Sequence, residues 1–388
     1  MGKTMSEKIL GGVAGQTVTV KPDYLLLNDG ASHKAVELVE ENRGLANKDK
    51  VIIVIDHDVP AGNSDSSAIF VKLVDFSKKY GVEFIQSEGI GYKVLLDKYV
   101  KPGEIVVSCG THNSIFGAVG ALGFDVNTHI MSTLLMKGEY EITVPQTVAV
   151  ELNGKLPKNT SAIDLFIKFL GDTVENNFAG RAIEFIGEGI KSLSKRERTV
   201  LCSMATRTGA YTAFVNENPE GLYVKTIAFN LEDVQPVAAL PSQLYFYKPL
   251  YNYKSIKKLT NIELDAGFIG GYTGGHIEDL RIAAKAMKGK KIALGFRLCV
   301  SPVSSDVYIQ AMEEGLIETF IDFGAQILPP SDRNRIAQGA GVIDSGEKMI
   351  TTGSYNYPGC LGSEDSEVYI ASTSSVVASA ISKSICKL

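Results

Sequence analysis

Cysteine is scarce in this chain, and its spacing does not match the usual cysteine-based sites. The count is odd and no CxxC pair occurs; the positions are Cys109, Cys202, Cys299, Cys360 and Cys386. Scattered cysteines exclude a disulfide framework and fit a reducing cytosol. Because the N-terminus also lacks the long apolar core of a signal peptide, we expect a cytoplasmic protein.

Strong charge and long apolar runs are also absent. The net charge of −5 gives no electrostatic basis for binding nucleic acid. No apolar run approaches the roughly 20 residues that a membrane-spanning helix needs. We therefore expect neither a nucleic-acid partner nor a membrane partner. The chain does have 388 residues, of which 45% are apolar, enough for two or three hydrophobic cores.

Glycine is abundant, and short apolar runs alternate with helical patterns along the chain. The 38 glycines indicate many tight turns between short elements. Residues 50–60, KVIIVIDHDVP, read as a buried strand, and residues 66–81 have helical apolar spacing that stops at a glycine. Strands that alternate with helices predict an α/β fold with mostly parallel sheets.

Two proline-containing stretches suggest where this α/β chain divides. One lies near Pro145 and the other is the Pro/Tyr-rich stretch 237–254. We therefore predict that the chain divides into the parts 1–145, 146–240 and 241–388.

Three local elements are predicted from composition and turn residues. Residues 142–157 read as a β-hairpin that turns at Asn153-Gly154. The Gly/Ala-rich stretch 114–124, SIFGAVGALGF, reads as a helix. A further helix is expected from an N-cap at Ser161 to a C-cap at Gly171.

Polar loops at the ends of the predicted strands are the candidate walls of a site. Ligands of open parallel sheets bind at the carboxyl ends of the strands. Two such loops contain histidines, His57 and His112, which can transfer protons near neutral pH. The candidate loops are 56–58, 109–113, 272–276, 353–357 and the polar stretch 329–335.

Five motifs along the chain carry a family resemblance. They are MGKTMSEKILGGVAG (1–15), VIDHDVP (54–60), RERTVLCSMATRTGAYTAF (196–214), GGYTGGHIEDL (270–280) and SGEKMITTGSYNYPGCLG (345–362). In this order they resemble the aconitase superfamily, especially the large subunit of isopropylmalate dehydratase. The likeness covers nearly the whole chain. It implies the family's fold, three α/β/α domains around a central cleft, and its hydro-lyase chemistry.

The resemblance implies a [4Fe–4S] cluster, but the positions of its three cysteine ligands are changed. The first ligand, the Cys of the family's GSCTN, is Tyr272 here, and the family's CxxC falls on Asp332 and Arg335. Cluster binding needs thiolates, and arginine stays cationic. We therefore expect no iron–sulfur cluster, no metal and no other cofactor. Asp332 and Arg335 can pair with each other, or Arg335 can supply the positive charge of the missing iron.

Other family residues are replaced as well, and some are replaced in pairs. The resemblance places a neighbouring acid–base pair at Gly110 and Tyr92, so both members are lost. Removing one half of a buried ion pair costs about 3–5 kcal/mol, whereas removing both can be nearly neutral. We interpret the paired loss as repacking. The resemblance predicts a Glu as the partner of His112, but Arg207 stands at that position. Two further positions that carry arginine in the family are occupied by Tyr355 and Cys360.

The inherited loops supply the candidate site residues. For catalysis we select four residues, because imidazoles, carboxylates and phenols can transfer protons: Asp56, His57, His112 and Tyr272. Several cations are new relative to the family, which suggests an anionic ligand. The predicted substrate-binding residues are Thr111, Arg207, Thr273, His276, Arg333, Arg335, Ser354, Tyr355 and Asn356.

Each candidate also has a structural interpretation. His57 and His112 can be satisfied structural histidines, and Tyr272 can simply fill the volume that a cluster would occupy. Cys109, beside the His112 loop, is more typical of a small buried strand-end residue than of a reactive thiol. A zinc site of Cys109, His112 and His57 has no metal signature in its spacing.

Two hypotheses about function follow. The first is a cluster-independent hydro-lyase or isomerase that acts on a small anionic hydroxy acid. Family large subunits work with a small swivelling subunit that supplies a Ser base and an Arg, so the resemblance implies such a partner as a separate protein. The second is a non-catalytic paralogue that acts as a binding or regulatory subunit.

Overall fold

The N-terminal part of the chain forms a five-stranded parallel sheet. The computed structural model describes residues 2–42, 44–173, 176, 178–242, 252–332 and 340–386. The first elements are α1 (Met5–Leu10), β1 (Thr17–Val20), β2 (Tyr24–Asn28), α2 (His33–Asn42), β3 (Val51–Ile55), α3 (Ser64–Tyr80), β4 (Glu83–Gln86), α4 (Gly91–Lys98), β5 (Ile105–Ser108), β6 (Leu122–Asp125), α5 (Thr128–Lys137) and β7 (Tyr140–Thr143). The sheet has the order β4-β3-β2-β5-β6, and β1 pairs with β7 in an antiparallel ribbon.

The middle of the chain forms a second, four-stranded parallel sheet. Its elements are β8 (Thr147–Asn153), α6 (Ala162–Thr173), β9 (Ala182–Ile186), α7 (Lys195–Ala205), β10 (Thr212–Val215) and β11 (Lys225–Asn230). The order is β10-β9-β8-β11, with all three pairings parallel.

The C-terminal part forms a seven-stranded sheet. Its elements are β12 (Val237–Ala239), β13 (Tyr253–Ser255), β14 (Ala266–Ile269), α8 (Gly271–Gly274), α9 (Ile277–Met287), β15 (Arg297–Val300), α10 (Ser305–Glu313), α11 (Leu316–Phe323), β16 (Gln326–Ile327), β17 (Lys348–Thr351), β18 (Glu367–Ala371) and α12 (Thr373–Ser382). The order is β13-β12-β18-β17-β14-β15-β16. Among the described strands of this sheet, only the pairings β13–β12 and β12–β18, at one edge, are antiparallel. The predicted α/β class with mostly parallel sheets is therefore confirmed.

The strands of the first sheet are buried on both faces. Leu25 and Leu27 of β2 belong to a cluster that also contains residues of α2, α3 and α5. Leu26, between them, points to the opposite face and joins a second cluster. That second cluster also contains Phe166 of the middle part and Tyr272 of the C-terminal part. The three parts of the chain therefore share one core, and the loops after β5, β14 and β17 border it.

Several local predictions are confirmed, and three are corrected. The strand predicted in 50–60 is β3, and the predicted 66–81 helix is α3, which ends at Gly81 in the left-handed conformation with φ 69°. The hairpin over 142–157 is wrong, because β8 pairs in parallel with β9 and β11 instead. A central parallel strand is apolar on both faces, and β8 is almost entirely buried.

The other two corrections concern glycines. The helix predicted over 114–124 is a 3₁₀ segment, Asn113–Val119, followed by β6. A Cβ on Gly117 would lie 1.7 Å from a backbone oxygen, so glycine here permits close backbone packing rather than a helix. Ser161 does accept from the helix N-terminus, at 3.4 Å. However, α6 continues through Gly171, so that glycine is not its C-cap.

Two further sequence predictions concern the domain limits and membrane-spanning helices. The domain limits 1–145, 146–240 and 241–388 stay predictions, although β12 precedes residue 240 and pairs with the C-terminal sheet. Among the described residues, no helix has both the length and the apolar character needed to cross a membrane.

Candidate active site

Loops from the first and third sheets meet around His112. His112 follows β5, Tyr272 follows β14 and Tyr355 follows β17. The imidazole ring lies 4.4 Å from the ring of Tyr272 and 5.5 Å from that of Tyr355, measured between centroids. The side chain of His112 is almost fully buried. The three strand-end loops predicted to form a site are therefore brought together.

The hydrogen bonds of His112 fix the roles of its two nitrogens. Nδ1 lies 2.9 Å from the carbonyl oxygen of Ser203, which can only accept, so Nδ1 carries the proton. In the neutral ring Nε2 is then an acceptor. The hydroxyls of Tyr272 and Tyr355 lie 2.5 Å and 2.8 Å from Nε2. One lone pair cannot accept from both hydroxyls at once, so one phenol must donate elsewhere.

Each phenol has such a second acceptor. The hydroxyl of Tyr272 lies 2.5 Å from Oγ of Ser354, and that of Tyr355 bonds to Oγ1 of Thr111. Burial, followed by the charges of Tyr355 and Asp332, raises the pKa of Tyr272 well above its usual range. Tyr272 therefore stays protonated at neutral pH and acts as a hydrogen-bond donor.

A second polar pair, Asp56 and His57, lies at the end of β3. Nδ1 of His57 is 2.6 Å from the carboxylate of Asp56, and the carboxylate of Asp29 accepts from the backbone N–H groups of residues 56–58. Burial alone would lower the pKa of His57, but the negative charges of Asp56, Asp29 and Asp332 outweigh it and raise that pKa to about 10. His57 is therefore a cation at neutral pH.

The same three side chains have the spacing of a metal site, but the two carboxylates already bind backbone N–H groups and the His57 ring. Ligand atoms of Asp29, Asp56 and His57 lie within 4.8 Å of one another. A metal needs the neutral imidazole, whereas the two carboxylates favour the imidazolium. Cys109 does not join such a group among the described residues. Burial raises the pKa of its thiol to about 12, which leaves it a poor ligand.

Tyr92 leaves no room for a side chain at position 110. Its hydroxyl lies 1.4 Å from the point that a Cβ on Gly110 would occupy, so the phenol and any larger residue exclude each other. The hydroxyl is also 3.3 Å from Oγ of Ser108, which donates to Asp125 at 2.7 Å. Burial raises the pKa of Asp125 to about 7. Tyr92 and Gly110 are therefore sterically linked, whereas the loss of a family acid–base pair at these positions stays a prediction.

Arg207 occupies the neighbourhood of Tyr355. Its guanidinium carbon lies 4.5 Å from the centre of the Tyr355 ring, which is cation–π geometry. Burial raises the pKa of the Cys360 thiol to about 12 although the charge of Arg207 lowers it. The predicted cation thus lies beside the His112 site, packed on one of its phenols.

The remaining predicted residues divide between the site and its surroundings. Oγ1 of Thr273 donates to the carbonyl of Thr352, and Asn356 donates to the carbonyl of Leu240 at 2.6 Å, so both hold loops together. His276 lines a different cavity. Arg333 and Arg335 lie outside the described residues, and so does the predicted Asp332–Arg335 pair.

A small cavity connects the two histidines. Its volume is about 20 Å³, room for about one water molecule. The walls are Asn28, Gly30, Ala31, His57, Tyr92, Cys109, Gly110, Thr111, His112, Asp332 and Tyr355. Sequence reasoning missed Asp29, whose signal is the turn dipeptide Asp29-Gly30 after an apolar run. It also missed Ser203, because this residue contacts His112 through its backbone carbonyl, a group that every residue has.

The chain resembles known proteins over almost all of its length. It matches the model of the aconitase family (aconitate hydratase) over residues 4–222 and 216–383. It is 31% identical to the 3-isopropylmalate dehydratase large subunit of Hydrogenobaculum sp., over 98% of this chain and 96% of that protein. It is 30% identical to the 3-isopropylmalate dehydratase large subunit 1 of Methanopyrus kandleri, over 98% and 97%.

A solved structure has the same fold. The crystal structure of Thermococcus kodakaraensis aconitase X in its holo-form aligns with a TM-score of 0.56 at 15% sequence identity, covering 90% of this chain and 89% of that one. The relatives are named dehydratases, which are lyases, so the predicted enzyme class is confirmed. This chain belongs to the aconitase family.

Proposed function

We propose that the chain is the large subunit of a hydro-lyase or isomerase that acts on a small anionic hydroxy acid without an iron–sulfur cluster. The observation that carries the proposal is the buried acceptor Nε2 of His112 between two phenols, Tyr272 and Tyr355. The relatives are named as dehydratase large subunits. Their names support the reaction type and a separate small subunit that completes the site.

The residues at the expected cluster position do not fit an iron–sulfur cluster. The phenol of Tyr272 is kept protonated by burial and is bonded to His112 and Ser354, whereas cluster ligands are thiolates. Cys360 borders Tyr355 in a buried apolar cluster, but its pKa of about 12 keeps it a thiol. The chemistry is therefore assigned to this chain's own side chains.

His112 is suited to be the base of the reaction. Its neutral tautomer is set by the carbonyl of Ser203. When Tyr272 donates to Ser354 and Tyr355 donates to Thr111, the lone pair on Nε2 is free. A proton on the carbon next to a substrate carboxylate can then pass to Nε2.

The phenols are suited to be the acid. As the C–O bond of the substrate breaks, the leaving hydroxyl takes a proton from Tyr355 or Tyr272 and departs as water. As that phenol gives up its proton, the proton that Nε2 of His112 took from the substrate carbon passes to it along the 2.5–2.8 Å hydrogen bond, so no buried phenolate accumulates. The base and the acid are both restored, and the products are an unsaturated acid and water.

His57 and Arg207 are suited to hold the anionic substrate. His57 borders the cavity and is cationic because Asp56 and Asp29 lie beside it. Its charge favours a carboxylate and the negative charge that develops on it when the neighbouring proton leaves. Without a metal on the leaving hydroxyl, the site suits a substrate whose carbon-bound proton is already acidic.

Turnover of malate and its 2- and 3-alkyl derivatives tests the proposal. The chain is mixed with the small subunit encoded by the same genome, and ultraviolet absorbance follows the conjugated acid product. His112→Gln should lower kcat/KM by at least about 100-fold, whereas the exposed His129→Gln should match the wild type. Full activity of His112→Gln would overturn the assigned role of His112.

A non-catalytic binding or regulatory subunit is the second candidate, and one observation favours it. The described residues leave only about 20 Å³ between the two histidines, and their polar groups are bonded to one another. A substrate can enter only if these walls separate. Failure of every substrate in the panel, with the small subunit present and bound, would favour this second function.

A further inference from the structure

A larger cavity lies behind the Tyr272 loop, apart from the His112 site. Its volume is about 300 Å³, at the lower end of the usual range for small-molecule pockets. Its walls come from α4, α9 and α10 and from the first turn of α7, and it shares no lining residue with the His112 cavity. It is therefore a separate site, and nothing in the reaction proposed above uses it.

His276 forms part of the floor of this cavity. The residue is only 6% exposed, and its Nε2–H donates to the carbonyl of Tyr272 at 2.9 Å. Burial, together with the charge of Arg196, lowers the pKa of His276 to about 4, so the ring is neutral and Nδ1 is an acceptor. Nδ1 has no hydrogen-bond partner among the described residues, and it is not one of their fully buried unpaired atoms, so it is accessible from the cavity. This nitrogen accepts from the cavity side of an otherwise buried ring, so it is available to a donor on a ligand.

The rim carries charges of both signs, and most of them are paired. The pairs are Lys93 with Asp97, Arg196 with Asp279, and Lys98 with Asp306. Two lining charges remain, Lys195 and Glu278. Neither has an ion-pair partner in the part of the chain that the structure describes. The cavity thus offers one cation and one anion to a ligand.

The start of α9 adds hydrogen-bond donors beside Lys195. His276 is the N-cap of this 11-residue helix, but its side chain does not cap it. Ile277 and Glu278, the first two helical residues, line the cavity. The first N–H groups of a helix have no partner within the helix and favour an anion such as a carboxylate.

We propose that this cavity binds a small zwitterion of the α-amino acid type. Its carboxylate lies toward Lys195 and the first turn of α9, and its ammonium group donates to Nδ1 of His276 and faces Glu278. Since His276 also donates to the carbonyl of Tyr272, one side chain separates this ligand from the His112 site. Occupancy should therefore stabilise the Tyr272 loop.

Isothermal titration of the full chain with each standard L-amino acid tests this site. Propionate and ethylamine, which each keep one charge, are the matched ligands. We expect at least one amino acid to bind saturably at one site per chain, and neither half-molecule to do so. Lys195→Met and Glu278→Gln should each weaken binding by about tenfold, as expected for one charge-assisted contact.

Two exposed residues outside the cavity provide control variants. Lys191→Met and Glu188→Gln remove the same charges from a nearby turn and should leave binding unchanged. No saturable binding of any amino acid would overturn the proposal. Equal binding of propionate or ethylamine, or unchanged affinity in Lys195→Met and Glu278→Gln, would overturn it as well. None of these outcomes depends on the catalytic assay of His112.

Discussion

The hydroxyl of Tyr92 occupies the space that any side chain on Gly110 would need. A Cβ at position 110 would lie 1.4 Å from the hydroxyl oxygen and 2.8 Å from the ring carbon that carries it. Tyr92 is buried and belongs to the core shared by the three parts of the chain, so its ring cannot simply turn away. The glycine at 110 is a steric requirement of the tyrosine at 92.

Gly110→Asp alone should therefore destabilise the fold by about 1–3 kcal/mol, the usual cost of overpacking a core. Tyr92→His alone should also destabilise it, because it removes buried ring volume. The double variant restores an acid–base pair at these positions and should be more stable than the sum of the single changes predicts. Urea unfolding of the four proteins measures this coupling, expected at about 1–3 kcal/mol. Additive effects would contradict the steric link.

Two substitutions of Tyr272 compare how much its ring and its hydroxyl each contribute to the stability of the fold. Tyr272→Phe keeps the packing and removes the bonds to His112 and Ser354, so it should cost only about 1 kcal/mol of stability. Tyr272→Ala should cost about 3–5 kcal/mol, since it leaves a cavity in the shared core. Thermal unfolding of both variants measures the difference.

Tyr272→Phe also tests whether the hydroxyl takes part in catalysis. If the hydroxyl is the acid, Tyr272→Phe should lower kcat by about 100-fold while remaining folded. If Tyr272 only fills space, Tyr272→Phe should keep wild-type turnover of any substrate found, and the catalytic assignment of Tyr272 would be abandoned.

The fold class could be predicted from the sequence because the apolar patterns that indicate strands and helices are local and recur along the chain. An apolar run such as residues 51–55 can hardly be anything but a buried strand, and ordered motifs set the architecture. The hairpin at Asn153-Gly154 failed because its turn signal is local, whereas the parallel pairing of β8 is set by distant strands. The helix predicted around Gly117 failed for a similar reason. This glycine permits close packing against a backbone oxygen that is distant in the sequence, so no local pattern indicates it.

The site was predicted in part. His112, Tyr272 and Tyr355 were identified and do meet, because they follow parallel strands. His276 lies four residues after Tyr272 yet faces a different cavity, because the short α8 turns the chain between them. Sequence spacing reveals which loop carries a residue, but the direction of its side chain depends on the turn.

The pair Asp56–His57 should make stability depend on pH. The folded-state pKa of His57 is about 10, compared with about 6.5 in an unfolded chain. Its stabilising contribution is therefore complete below about pH 6.5 and is lost as the pH rises toward 10, because the folded chain then binds more protons than the unfolded chain. The free energy of unfolding should fall between about pH 7 and pH 10.

The double variant Asp56→Asn, His57→Gln should remove more than half of that fall. Changing both residues avoids leaving a buried charge without its partner, which would cost about 3–5 kcal/mol by itself. His129→Gln, at an exposed histidine, should keep the wild-type profile. Urea unfolding across this range provides the comparison, and an unchanged slope in the double variant would show that other groups cause the pH dependence.

The iron content of the purified protein tests the proposal that this chain binds no iron–sulfur cluster. At the cluster position Tyr272 is a buried, protonated phenol that is bonded to His112, and cluster ligands must be thiolates. Protein purified anaerobically should therefore be colourless, with much less than one iron and one sulfide per chain, and still folded. Tyr272→Cys should not restore iron, because one thiol does not supply the family's other two ligand positions. A broad visible absorption with about four irons per chain, as expected for a [4Fe–4S] cluster, would mean that cysteines elsewhere rearrange to bind it, and the assignment of His112 and its phenols as the reacting groups would then be withdrawn.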